Sequence, residues 1–459
     1  MTVDAGERAA IGAREPKSAI SGLTSVVLLG LLAAAPALAL AQTPLTLEDA
    51  MRRARDDTAD ARVLASSVAE AAARVRLARA GFWPRVDAAE TAQRGDQPVF
   101  VFSSLLAQRR FAEADFAISA LNHPDAVTNT RTAISIQQSI FDGGGTQAGV
   151  RAASLDRDLA EARRDAARQD LAFSAAQAFV HALEREAGVR AAQAAVDAAE
   201  SDRERARARR DVGLATDADV LAVDVHLADV RQQRISASGD LAVAYIQLAD
   251  IVGLPLTSPL ALVRPAPWPA PDDDEDALVR EALARHPRRR EADAQIQLAD
   301  NARRAAHAAL LPAISAQAGW ELNGASLSTQ QSSWGLGVDV RINLFDGFAT
   351  RARVAEAAHM RATAIAERER LDRRIDVDVR AALAQWTAAR AGEDVGRAAL
   401  AQARESQRIV RERYDGELAT IADVLRAAEA VRAAELRATA AEMAVILQRL
   451  ALERALGRL

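Results

Sequence analysis

The chain has 459 residues, of which 50% are hydrophobic by type, 4% aromatic and 26% charged, and its formal charge is −5. That length allows one large or two medium cores, yet a composition led by Ala, Arg, Glu, Asp and Leu is that of long helices rather than of a mixed globular enzyme. Arginines interleaved with acids give no field to hold nucleic acid, and the lack of cysteine rules out disulfides and an acylated N-terminal cysteine.

Arg14 and Lys17 precede an apolar run from Val26 to Leu40, which ends in the small-x-small sites Ala37-Leu38-Ala39 and Ala39-Leu40-Ala41. This is the anatomy of a secretory signal peptide over residues 1–41, with the mature chain starting at Gln42. No later segment has the roughly 18 apolar residues of a spanning helix, so insertion into a membrane must use strands.

The first strand hairpin follows a helical stretch and Pro84. Its second strand carries Ile134, Ile136 and Ile140 on one face, interrupted by Gln138, and Glu90 falls on the same face of the first strand. Between them, residues 95–131 hold Phe100, Phe102, Phe111, Phe116 and a turn-like Asn122-His123-Pro124, the signature of an ordered loop. Phe141-Asp142-Gly143 then marks a strand-to-helix junction. From Gly143 to about Arg210 there is no proline, which gives a helix of roughly 100 Å at about 1.5 Å per residue. It ends at Val212-Gly213-Leu214-Ala215-Thr216, where Thr216 is an N-cap three residues before Asp219, and a second helix returns to Gly253. Prolines at 255, 259, 265, 267, 269 and 271 make residues 255–273 a linker, not a helix. The acidic run Asp272–Asp276 reads as a solvated first turn that complements the next helix dipole.

The second hairpin starts at Ala313, after Pro312. In its second strand Trp334, Leu336, Val338, Val340, Ile342 and Leu344 alternate with small or charged residues, so one face is wholly apolar. Two environments give that alternation: a half-buried antiparallel sheet or a strand with one face to lipid, for which about 9 to 11 residues suffice. Phe345-Asp346-Gly347 opens another proline-free run to about Arg413, which ends at Asp415-Gly416-Glu417-Leu418-Ala419-Thr420. The return helix begins at Asp423-Val424-Leu425 and reaches Gly457.

These landmarks share one register. A shift of 204 carries Phe141-Asp142-Gly143, Gly188, Leu214-Ala215-Thr216, Asp219-Val220-Leu221 and Gly253 onto their second-half partners, so the chain is a tandem duplication of residues 42–254 and 274–459. The first copy has about 24 extra residues between proline and phenylalanine. Gly188 and Gly392, costly in a helix, are expected where helices approach closely. Each copy offers two membrane-length strands, one helical hairpin and one shorter helix. Four strands cannot close a barrel, for which about eight is the minimum, whereas three chains supply about 12. The fold class is thus mainly α with a membrane β-barrel portion shared among copies. The six histidines show no paired metal-ligand spacing, and Gly143-Gly144-Gly145-Thr146 lacks the lysine of a phosphate loop. No catalytic residue, metal or cofactor is expected.

Signal peptide, duplication, Phe-Asp-Gly after a strand and the paired Asp-Val-Leu turns resemble the TolC-like outer-membrane efflux protein family over Leu45 to Leu459. The resemblance implies a homotrimer with a 12-stranded barrel in the outer membrane of a Gram-negative bacterium, continuing as an α-barrel across the periplasm. It also implies an exit duct for a tripartite efflux pump or type I secretion system, with a periplasmic adaptor (membrane fusion protein) and an inner-membrane transporter of RND, ABC or MFS type. The adaptor would dock at Gly213, Leu214, Gly416 and Leu418. Asp219, Asp423 and Tyr414 would form the periplasmic gate, with Ala419 standing where some members carry a bridging arginine. The residues alone allow both a ring of about six carboxylates with raised pKa and simple first-turn acids under Thr216 and Thr420. The competing function is a soluble periplasmic coiled-coil scaffold or adaptor.

Overall fold

Residues 44–266, 268–271 and 274–459 are described in the computed structural model. The expected signal peptide, Gln42, and Asp272 and Asp273 of the acidic run lie outside them. A two-residue strand, β1 (Pro44–Leu45), leads into helices α1 (Leu47–Asp56) and α2 (Ala59–Arg79). One helix was expected before the strands. Thr58 divides it, its hydroxyl donating to Ala54 O and accepting from Ala61 N. Next come β2 (Arg85–Gly95), α3 (Pro98–Ala107), α4 (Ile118–Asn122) and β3 (Val127–Phe141), so the second strand starts inside the expected loop. The long hairpin is α5 (Gly145–Asp211) and α6 (Asp217–Ile251).

The second half has β4 (Ala261–Leu262) and two short helices, α7 (Glu275–Arg285) and α8 (Pro287–Ala308), separated because Pro287 holds His286 extended. β5 (Ala313–Gly324), β6 (Gln331–Arg341), α9 (Ala349–Asp415) and α10 (Ile421–Ala455) follow. Helices α5 and α9 each have 67 residues, and α6 and α10 each have 35. Among the described residues no helix is long and apolar enough to cross a membrane.

Both long helices start two residues later than expected. Gly143 and Gly144, and in the second half Gly347 and Phe348, all have positive φ, which turns the chain from strand into helix. The junction aspartate holds that turn. Asp142 accepts from Gly144 N (3.1 Å) and from Thr146 N and Oγ1 (both 2.5 Å), and Asp346 accepts from Thr350 N (2.9 Å) and Oγ1 (2.5 Å).

Strands β2, β3, β5 and β6 form one antiparallel sheet in that order. Ile342 and Leu344, expected in the last strand, fall beyond it. The pairing stops at Ala313 opposite Arg341, because Pro312 has no N–H to continue the ladder.

The helices form a layer four wide. Near the sheet the packing runs α2, α5, α8, α9, and toward the turns it runs α6, α5, α10, α9. At mid-length β1 pairs in parallel with β4 of the proline-rich linker. Phe179, Val180, Leu47, Leu248 and Leu450 bury completely beneath that pair, with Trp268 packed on the same core under the Arg449 guanidinium. On α6 the buried positions Val220, Val223, Leu227 and Val230 alternate by three and four, the seam of a helix pair. The close approach expected at Gly188 and Gly392 is not made within the chain, since a Cβ at either would meet nothing within 4 Å. It occurs at Gly396 instead, whose Cβ would lie 3.4 Å from Ala438 Cα.

The junction glycines make a graded prediction. A Cβ on Gly143 would strike the Ala308 carbonyl and lie 2.9 Å from Leu311 Cβ, whereas Gly144 has open space and its counterpart in the second half is Phe348. Gly144→Ala should therefore cost about 1–2 kcal/mol of left-handed strain and Gly143→Ala distinctly more. Loss of helical circular dichroism on heating should order the proteins wild type, Gly144→Ala, Gly143→Ala from most to least stable.

Candidate functional site

Two regions carry the expected site residues, the sheet face and the helical turns. The register aligns Val86 and Ala88 with Ile136 and Ile134, these with Ala318 and Trp320, and these with Leu336 and Trp334. Val338 and Val340 extend the same face opposite Ala316 and Ile314. The large side chains of this face stay exposed, Trp334 at 80% and Leu336 at 75%, and Ile342 and Leu344 beyond the strand are exposed too. At about 1.5–3 kcal/mol of unrealised burial for each large apolar side chain, such a face calls for an apolar environment.

Its two ends are marked. Trp320 and Trp334 stand opposite each other toward the hairpin end, beyond which Thr132 donates to Glu90 (2.5 Å) and accepts from Gln330 (3.1 Å). At the helix end Trp83, Phe141, Phe345 and Phe348 are exposed, with the Phe345 and Phe348 rings edge to face at 5.6 Å. Glu90 therefore sits beyond the tryptophan end of the apolar band, whereas Gln138 stands level with Ala316 and Val338 inside it and turns its amide to the Phe82 carbonyl (3.4 Å). The opposite face is polar, with Arg131 paired to Glu321 and Arg85 to Asp87 (2.8 Å). Among the described residues strands β2 and β6 have no outer partner.

At the turns Thr216 and Thr420 cap α6 and α10 through capping boxes. Asp219 Oδ2 accepts from Thr216 N and Oγ1, both at 2.9 Å, and Asp423 Oδ2 from Thr420 N (3.0 Å) and Oγ1 (2.7 Å). Within one chain the Thr420 hydroxyl and backbone N–H, aided by Arg426, hold the Asp423 carboxyl below the usual range. The Asp-Val-Leu runs thus resolve into parts: the aspartates cap, Val220 and Val424 join the cluster between the two turns, and Leu221 points to solvent.

The left-handed residue of the first turn is Gly213, and in the second it is Glu417, not Gly416. Leu214 and Leu418 are exposed beside them, each N–H closing on an arginine carbonyl, Arg209 O (2.8 Å) and Arg413 O (2.7 Å). Tyr414 lies under the Arg209 guanidinium, 4.8 Å from its ring centroid, and partial burial pushes its hydroxyl pKa up. Sequence reasoning missed what ties the two hairpins together there. Asp202 of α5, 6% exposed, takes Arg411 of α9 at 3.2 Å, with Arg205 at 3.9 Å.

A four-stranded sheet prolonged by two helical hairpins is the fold of outer-membrane channel protomers. The chain is similar to the CmeC outer membrane channel of Campylobacter jejuni, with a TM-score of 0.76 and 15% identity over 90% of this chain and 85% of that one. It is also similar to the outer membrane protein VceC of Vibrio cholerae, with a TM-score of 0.73 and 19% identity over 90% of this chain and 96% of that one. The chain belongs to the outer membrane efflux protein family, which it matches over residues 50–254 and 278–458. Protein CyaE of Bordetella pertussis is 28% identical over 314 residues, 66% of this chain and 65% of CyaE, so the match spans just under two thirds of that relative.

The buried pair predicts how the turns are held. Arg411→Leu leaves Asp202 with only the more distant Arg205, which should loosen the turns by about 2 kcal/mol or more. Amide exchange within 200–212 and 408–416 should speed up roughly 30-fold, and Asp202→Asn added to Arg411→Gln should recover most of the protection.

Proposed function

We propose that the chain, exported by its signal peptide, is one protomer of a passive trimeric exit duct in the outer membrane of a Gram-negative bacterium, serving a tripartite efflux pump or a type I secretion system. The carrying observation is the apolar, aromatic-bounded sheet face that none of the described residues covers, on a sheet whose two edges are free among those residues. Lipid supplies the missing apolar environment. The sheet has an even number of antiparallel strands, so β6 of one copy runs antiparallel to β2 of the next, and three copies close a barrel of about 12 strands with no edge left. The polar face then lines the lumen. A soluble periplasmic scaffold or adaptor would leave that apolar face in water.

The helices support the same closure. Besides its buried seam, α6 carries Leu221, Val225, Ala228, Ile235, Gly239 and Ala242 on an exposed face, spaced by threes, fours and sevens. Helix α9, at the other edge of the layer, exposes Val377, Ala381, Ala384, Ala388, Ala391, Val395 and Ala398 in the same rhythm. The α6 repeat passes through Gln232, whereas that of α9 is unbroken; a seven-residue repeat on an open face seeks a helix, and α9 of one copy against α6 of the next satisfies both. Two tandem copies per chain, residues 42–254 and 274–459 joined by 255–273, thereby give a tube of about 12 helices across the periplasm.

The turns form its inner entrance. Asp219, Asp423 and Tyr414, tied to the Asp202–Arg411 pair, act as the gate, and a periplasmic adaptor docks on Gly213, Leu214, Gly416 and Leu418. An inner-membrane transporter of RND, ABC or MFS type supplies the energy.

Carbonate or salt should leave the protein in the membrane fraction, and it should migrate as an oligomer until boiled; release without detergent would sink the duct. Ile235→Asp or Val395→Asp should abolish the heat-labile oligomer. In planar bilayers Asp219→Ala with Asp423→Ala should raise conductance or alter ion selectivity, and no change in either would remove these residues from the gate.

A further inference from the structure

The segment between β2 and β3, residues 96–126, has no equivalent between β5 and β6, which a turn of residues 325–330 connects. Its own contacts say where it lies. Gln108, 2% exposed, donates its amide to Thr128 O (2.9 Å) and Asn129 Oδ1 (3.0 Å). Asn129 in turn donates to Asn323 Oδ1 at 3.0 Å. Asn129 and Asn323 belong to the polar face, in register with Arg131 and Glu321, and Asn323 is 3% exposed because the segment covers it. Arg109, held at φ 54, reaches across to Ser332 O of β6 at 3.0 Å. The segment therefore crosses the polar face from the β2–β3 hairpin to the far edge strand. Edge-to-face contacts of Phe111 with Phe102 (4.9 Å) and Phe116 (5.0 Å) brace it. Yet Val99 (81%), Ile118 (77%), Phe116 and Leu106 remain exposed on it.

We propose that in the assembled duct this segment folds into the lumen at the outer mouth and meets its two symmetry copies through Val99, Leu106, Phe116 and Ile118, forming an outer constriction distinct from the inner gate. The proposal rests on the trimeric-duct reading, in which the polar face is the lumen wall. Size makes the contact unavoidable. Twelve strands about 4.8 Å apart and tilted by about 40° enclose roughly 24 Å between backbones. A helix with its side chains is about 10 Å across, so three packed side by side span about 22 Å and fill that opening. A second copy of the same apolar surface is then the only occupant within reach.

The lack of native cysteine makes the test direct. Ser135→Cys, on the polar face further into the barrel, is labelled from outside intact cells with a polymer-linked maleimide. This is done in the full-length chain and in a variant whose residues 96–126 are replaced by the Ala325–Gln330 turn. Labelling scales with the fraction of time the mouth is open, so the shortened variant should react roughly tenfold faster or more. In the otherwise intact chain, Ile118→Cys should form a covalent dimer on mild oxidation inside a heat-labile oligomer. Equal labelling rates, or an intact oligomer in which Ile118→Cys does not crosslink, overturns the constriction and leaves the duct standing. The absence of any heat-labile oligomer overturns both.

Discussion

Every backbone N–H and C=O in hydrocarbon must find a partner within the protein, at several kcal/mol for each group left without one. Among the described residues of one chain β2 and β6 each present an unpaired edge. In the proposed duct that deficit drives assembly and also fixes its geometry. A four-stranded antiparallel sheet with free edges of opposite direction can only be completed head to tail. The helical layer obeys the same rule with weaker forces, since its edge helices α6 and α9 each keep a heptad face uncovered. Strand edges and helix edges lie on the same two sides of the protomer, so one rotation satisfies both.

The junctions transmit that geometry from sheet to helices. Asp142 and Asp346 each anchor the threonine at the second position of the following helix, while two successive left-handed residues redirect the backbone. At the first junction both are glycine. At the second one is Phe348, whose ring packs against Phe345 and under Arg351. A phenylalanine at φ 69 stores backbone strain, and in the proposed duct its exposed ring beside Phe345 puts an aromatic side chain at the level where an apolar band meets water.

Much of this was legible in the sequence because it recurs or alternates. Strand faces, the long helices and the threonine caps all follow from spacing. What stayed hidden has no periodic signal. Thr58 and Pro287 each divide a helix that composition alone reads as continuous. Glu417 takes the left-handed place that Gly213 holds in the first turn, so matching glycine to glycine pointed to Gly416. Asp202 is one acid among many in an Arg- and Ala-rich helix, and only its burial against Arg411 separates it from its solvated neighbours. The insertion read as an ordered loop, but nothing in its composition says which face of the sheet it crosses.

In the proposed duct the two seams of α6 let so thin a layer become a tube. The buried seam of α6 runs through Val220, Val223, Leu227 and Val230, and the exposed one through Leu221, Val225, Ala228 and the polar Gln232. At about 3.5 residues per turn each position advances the helix by roughly 103°, and the two seams are offset alternately by one and two residues, so they lie on average about 154° apart. Seams this close to opposite bend a layer of helices only gently, as the wide ring of the proposed duct requires. Seams set directly opposite would give a flat layer, and seams about 90° apart would give a compact four-helix bundle with no bore. In the proposed duct the curvature of the wall follows from this offset of one to two residues between the two seams of a single helix. The small side chains along it keep the walls thin enough for that angle to persist.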